Sequence, residues 1–157
     1  MSRPRTILCI DDSVLLLAMR KAQLESSDFK VFTAESGSAG LEIVNREPIE
    51  VVILDYCMPG MDGGMVAKEL RRRCPNVAIL LSSGIEEIPA SVLMIMDAVV
   101  AKGTSAVDLV REIERVTTER SKPTEPIPNV EIGRSAEHSR RVSRSRQART
   151  RRQQRGG

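Results

Sequence analysis

Aromatic side chains are nearly missing from this 157-residue chain, which has no tryptophan, one tyrosine and two phenylalanines. No apolar run approaches the ~20 residues needed to cross a bilayer, so no membrane span is expected. The N-terminal "MSRPRTILCIDDS" has one short apolar segment, Ile7 to Ile10, that ends in acids, which is not the pattern of a signal peptide. Cysteine is scarce. Cys9, Cys57 and Cys74 are odd in number and lack metal-ligand spacing, and a reduced, cytoplasmic compartment is the simplest expectation. No internal repeat is visible.

The charge is uneven. Nine arginines and one acid, Glu137, fall in residues 134–157, a net +8. The chain as a whole carries +3, so the residues before them carry −5. Residues 121–133 hold Pro123, Pro126 and Pro128 and read as a linker. Residues 134–157 offer almost no large apolar side chain to offset ordering entropy, and a disordered basic tail is expected. Such a tail could bind nucleic acid or an anionic surface through counterion release. It has no aromatic ring on which a base could stack, so it gives little support for specific single-strand recognition.

Residues 6–118 alternate between two kinds of pattern. Apolar or β-branched runs at 6–10, 30–34, 51–55, 77–81 and 98–101 read as strands. Helical patterns follow each: from Asp12-Ser13 to about residue 25, from Ser36-Gly37-Ser38 onward, around Val66, Ala67 and Leu70, at 89–96, and at 105–118. In the last of these, Val107, Val110, Ile113 and Val116 recur at three- and four-residue steps. Arg71, Arg72 and Arg73 close the third helix, where cations suit the dipole. Five strands alternating with five helices predict an open parallel α/β sheet. Sheets of this kind bind ligands beyond the C-terminal ends of their strands.

Those strand ends carry the chemistry. The first ends in Asp11-Asp12, the third in Asp55, the fourth in Ser82-Ser83 and the fifth in Lys102. Gathered on one rim, three carboxylates repel one another unless a hard cation sits among them. Magnesium is the leading candidate, since it takes oxygen ligands and bridges to phosphates. A carboxylate can also attack a phosphoryl group, giving an aspartyl-phosphate. Each feature has a blander reading: Asp12 or Ser13 as a helix cap, Asp55 and Ser82-Ser83 as turn residues, Lys102 as a solvated loop lysine. That account must place all of them at strand ends by coincidence. Cys9 and Cys57 are expected as small fillers, and Met58, Met61, Met65, Met94 and Met96 as core or turn packing.

The segments "ILCIDDS", "VVILDYCMPGMDGG", "AILLSSG" and "VVAKG", in that order, resemble the receiver domain of bacterial two-component response regulators, over about residues 5–120. The resemblance implies a flavodoxin-like (βα)5 fold with strand order 2-1-3-4-5. It implies that Asp55 takes a phosphoryl group from a phosphohistidine on a sensor histidine kinase or phosphotransfer protein. Asp12, Asp55 and the backbone carbonyl of Cys57 would hold Mg2+ directly, and Asp11 through water. Lys102 would pair with Asp55 and later with the phosphoryl oxygens. The hydroxyl that closes on the phosphoryl group would be Ser82, or Ser83 if the register slips by one.

Two departures stand out. Gly103 follows Lys102 where the family commonly has proline, and Val99 stands where an aromatic switch residue is frequent. The fourth helix looks reduced. Residues 121–157 leave no room for a folded DNA-binding unit, so a stand-alone receiver without independent enzymatic turnover is expected, with an output face on the fourth helix, fifth strand and fifth helix. A phosphatase of the haloacid-dehalogenase type is a weaker resemblance, since Cys57 stands where that chemistry places a second acid.

Overall fold

The computed structural model describes residues 3–84 and 87–122. Five strands, β1 (Thr6–Ile10), β2 (Lys30–Ala34), β3 (Val51–Asp55), β4 (Ala78–Ser83) and β5 (Ala98–Ala101), alternate with five helices, α1 (Val14–Glu25), α2 (Gly37–Arg46), α3 (Gly63–Arg73), α4 (Ala90–Leu93) and α5 (Ala106–Ser121). All strand pairs are parallel, in the order β2-β1-β3-β4-β5. This is the flavodoxin-like arrangement expected from the sequence.

Strand alternation sorts the core into two layers. Ile7, Cys9, Val51, Ile53, Ala78, Leu80 and Val100 pack with α1 and α5 through Leu17, Leu24, Leu109, Ile113 and Val116. Leu8, Ile10, Val52, Leu54, Ile79 and Leu81 pack with α2, α3 and α4 through Leu41, Val44, Val66, Leu70 and Val92. Both faces of β1, β3 and β4 are therefore covered, which is why these strands read as unbroken apolar runs. Full burial of each such side chain contributes about 1.5–3 kcal/mol.

Several boundaries differ from the sequence reading. β4 extends to Ser83 because Ser82 and Ser83 continue its pairing with Val100 and Ala101 of β5. The helix expected at 89–96 is a single turn. After Leu93 the amides of Ile95 and Met96 bond back three residues, to Val92 and Leu93, and the chain then turns so that Asp97 N–H reaches Ile79 O. α5 runs to Ser121, three residues beyond the expected end and into the first residue of the expected linker. Its last turn is held where Arg120 donates to Asp97 Oδ1 (2.8 Å) and to Pro75 O (2.9 Å). The rest of that linker, from residue 123, and the basic tail at 134–157 lie outside the described residues.

Not all the expected fillers are inside. Met58 is buried, and Met61 and Met96 pack on the core. Met65 faces outward from α3, whose Val66, Ala67 and Leu70 point inward, and Met94 is 85% exposed beyond the short α4. Cys9 is buried, whereas Cys57 is exposed.

Candidate phosphoacceptor site

The C-terminal ends of β1, β3, β4 and β5 meet at one rim, and the loops there are short and constrained. Asp11 continues β1, its N–H bonded to Ala34 O at 3.1 Å, and its Oδ1 accepts from Ser13 N–H at 2.9 Å. Ser13 caps α1, its Oγ accepting from Leu16 N–H. Of the two possible cap residues it is therefore Ser13 that caps, and Asp12 projects exposed at the rim. After β3, the loop bends through Gly60, whose φ of 79° favours glycine, and closes with Gly63 N–H donating to Tyr56 O at 2.9 Å. A Cβ on Gly63 would collide with the Asp55 carbonyl oxygen and lie 2.8 Å from Tyr56 Cα. Asp62 then caps α3 by accepting from Met65 N–H.

These constraints bring the acids together. Asp11, Asp12 and Asp55 each place a carboxylate oxygen within 4.8 Å of the others. Asp55 is 2% exposed. Its Oδ1 lies 3.1 Å from Lys102 Nζ, which also stands 3.6 Å from Asp11 Oδ2. Lys102 leaves the end of β5, its N–H donating to Ser83 O. Among the described residues, neither Asp55 oxygen nor Ser82 Oγ has a well-formed hydrogen bond, although all three are buried. Buried acceptors of this kind call for a ligand or water to complete them.

The charges respond accordingly. Burial raises the Asp55 pKa above the ordinary carboxylate value, and the Asp11 charge adds to this; Lys102 and the Cys57 backbone oppose it only in part. Burial works against the charge of Lys102, but Asp55, Asp11 and Asp12 outweigh it and hold its pKa up. One lysine faces three carboxylates, a surplus of negative charge.

Strand register separates the two serines. Ser82 is the Cα partner of Asp55, on the face that β3 shares through Val51 and Ile53 with β4 through Ala78 and Leu80. Ser83, one residue on, falls on the opposite face with Ile79 and Leu81. Ser82 is thus the hydroxyl on the Asp55 side. Cys57 sits two residues past Asp55 in the β3–α3 loop.

The Response regulator receiver domain family matches residues 7–114. The chain belongs to that family. This receiver domain is 33% identical over 106 residues to "Transcriptional regulatory protein GlrR" of Escherichia coli, an alignment covering 68% of this chain and 24% of that protein. It is 35% identical over 71 residues to "Sensor histidine kinase GacS" of Pseudomonas protegens, covering 45% of this chain and 8% of the kinase. The chain therefore spans a minor part of the length of these relatives. Among solved structures, the response regulator TrrA of Thermotoga maritima, in complex with Mg2+ and BeF, superposes with a TM-score of 0.67 at 26% identity, covering 71% of this chain and 98% of that one. A CheY-like receiver domain from Methanospirillum hungatei gives a TM-score of 0.69 at 21% identity, over 74% and 96% of the two chains. Receiver domains bind Mg2+ at an acidic pocket, and the donor set at this rim is of that chemistry: clustered carboxylate oxygens in charge excess suit a hard divalent cation.

Two features of the receiver's rim carried no motif in the sequence. Val14, Leu15 and Met19 leave an apolar strip exposed on α1 directly after the acids. Arg20, also on α1, reaches the carbonyl oxygen of Lys102. The first could have been found from helical spacing, the second only from the fold.

Proposed function

We propose that this receiver domain is the phosphoacceptor of a two-component pathway, with Asp55 taking the phosphoryl group of a phosphohistidine on a sensor kinase or phosphotransfer protein. An Asp55 carboxylate oxygen attacks phosphorus, the phosphorus–nitrogen bond breaks and the imidazole leaves with the bond's electrons. The observation that carries the reading is a carboxylate only 2% exposed, 3.1 Å from a lysine and grouped with two further acids. Asp12, Asp55 and the Cys57 carbonyl would hold Mg2+ directly and Asp11 through water; the ion would neutralise charge on the phosphoryl oxygens. Lys102 would hold Asp55 before transfer and a phosphoryl oxygen afterwards, and Ser82 Oγ would turn to donate to another.

The exposed Val14, Leu15 and Met19 beside the acids give a kinase or phosphotransfer helix an apolar surface to rest on. Leu93, Met94, Val99 and Val107 are exposed around α4, β5 and α5 and support an output face there, where phosphorylation changes partner binding. No helix among the described residues is long and apolar enough to cross a membrane, and a cytoplasmic location accords with the reading. The protein would be modified rather than turn over a substrate.

The test is labelling with acetyl phosphate, with and without Mg2+, of intact protein and Asp55→Asn. Label should appear on the intact protein alone and vanish with a chelator. Persistent labelling of the substituted protein would remove Asp55 as acceptor. Lys102→Ala should still label, but more slowly.

A further inference from the structure

Lys102 does its proposed work from a short loop tied back to β4 and β5. Thr104 folds back on Ala101 O through its N–H (3.0 Å) and its Oγ1 (2.7 Å), and Lys102 N–H reaches Ser83 O at 3.3 Å. Gly103 has open space where a side chain would stand, with nothing within 4 Å. Glycine there allows the loop a wider range of backbone angles than a residue with a side chain would. Movement of the loop would carry the Lys102 stem away from Asp55.

One side chain acts against this. Arg20, on the second turn of α1, places Nη2 3.5 Å from the carbonyl oxygen of Lys102, 82 residues away in sequence. No carboxylate lies within ion-pair distance of it among the described residues, so it is not spent in a salt bridge. Its half-buried side chain also lines a small cavity of about 10 Å3, shared with Asp11, Asp55 and Ser82, that has room for one water. Its charge is felt beneath the rim: burial is the larger effect on the Cys9 thiol, and Arg20 pulls that thiol the other way. An arginine without a carboxylate partner, turned toward the acids and reaching the loop that carries their lysine, has a place in the site that helix packing alone does not require.

We infer that Arg20 is a positioning residue for the phosphoacceptor site, its guanidinium holding the backbone carbonyl of Lys102 so that the ammonium stays over Asp55. This rests on the assignment of Lys102 above. Arg20 touches no transferred group; it limits the loop movement that Gly103 allows. A charge-assisted donor suits a carbonyl that would otherwise turn freely in solvent.

The experiment compares initial rates of acetyl-phosphate labelling, at saturating Mg2+, in the full chain. Arg20→Met keeps the apolar stem packed and removes only the guanidinium. It should slow labelling by up to about tenfold, in line with the penalty for a loosened catalytic geometry. Arg20→Lys, which keeps a cationic donor, should recover much of the rate. In a Lys102→Ala background, Arg20→Met should add nothing, because its target is already gone. An equal slowing in both backgrounds overturns the inference, since Arg20 would then act independently of Lys102. No slowing by Arg20→Met beside a clear Lys102→Ala defect also overturns it, while leaving the phosphoacceptor reading in place. A Lys102→Ala protein as fast as the intact one would instead sink the assignment of Lys102 itself. Circular dichroism identifies any variant that fails to fold, and if Arg20→Met does, Arg20→Leu, which also removes the guanidinium, carries the comparison in the same two backgrounds.

Discussion

Asp97 sits at the opposite end of β5 from Lys102 and joins four segments through one carboxylate. Its Oδ2 accepts from Arg71 Nη2 at 2.6 Å and from Ile79 N–H at 2.7 Å, and its Oδ1 from Arg120 Nε at 2.8 Å. Arg71 goes on to the carbonyls of Ile95 (2.9 Å) and Val77 (2.7 Å). The side chains of Asp97, Arg71 and Arg120 are 18%, 20% and 29% exposed, so solvent screens them only in part. Replacing Asp97 by alanine leaves two guanidinium groups and an amide without their acceptor. Breaking a buried pair costs about 3–5 kcal/mol, and hydrogen bonds to charged groups about 1.5–3 kcal/mol each, non-additively. With the remaining exposure, a loss of about 3 kcal/mol is expected, a sizeable share of the 5–15 kcal/mol typical of a domain. Thermal unfolding followed by circular dichroism should show a drop of more than about 10 °C.

The pH dependence has a definite sign. Burial alone would raise the Asp97 pKa, but the Ile79 amide, Arg120 and Arg71 outweigh it and hold the pKa below the ordinary value. A depressed folded-state pKa contributes stability that is present above the unfolded value of about 3.9 and lost as pH falls through the lower, folded one. The gap between the intact protein and Asp97→Asn should therefore be full at neutral pH and shrink only in acid. A loss below about 0.5 kcal/mol for Asp97→Ala, the size of an exposed ion pair, would refute the reasoning.

Ser82→Ala should change resting stability by less than about 0.5 kcal/mol, because its buried Oγ has no hydrogen bond to lose, yet shorten or weaken the phosphorylated state. A large resting loss in chemical denaturation would mean that the hydroxyl is already engaged. Gly63→Ala should cost about 1–3 kcal/mol and slow labelling, since a methyl there meets the Asp55 carbonyl oxygen; a neutral effect would show that the loop gives way freely. With a thiol reagent at pH 8, Cys57 should react at once, whereas Cys9, pushed up to about 12 by burial, should react only as the protein opens. Mass mapping of the modified cysteines decides this, and early labelling of Cys9 would contradict the packing under β1.

The strands were legible because their signal is local. Four of the five expected strands, at 6–10, 30–34, 51–55 and 98–101, have the observed bounds, since short apolar or β-branched runs between turn or charged residues leave a strand few other solutions. Helix ends were less legible where distant groups set them: α5 gains its last residues beside the bonds of Arg120 to Asp97 and Pro75, and α4 is cut to a turn where the chain returns to Ile79.

By itself, the order of acids, hydroxyl and lysine at the strand ends determined that a charged rim would form, because parallel strands all deliver their C-terminal residues to the same edge. Only the tertiary structure decided between neighbours: Ser82 rather than Ser83 on the Asp55 side, and Ser13 rather than Asp12 as the helix cap. Those choices depend on which face a residue occupies once its strand is paired, and a one-residue shift reverses the face. The approach of Arg20 to Lys102 and the Asp97 network are further from the sequence still. They join residues as much as 82 positions apart, and no local pattern records which distant carbonyl or carboxylate a long side chain will meet.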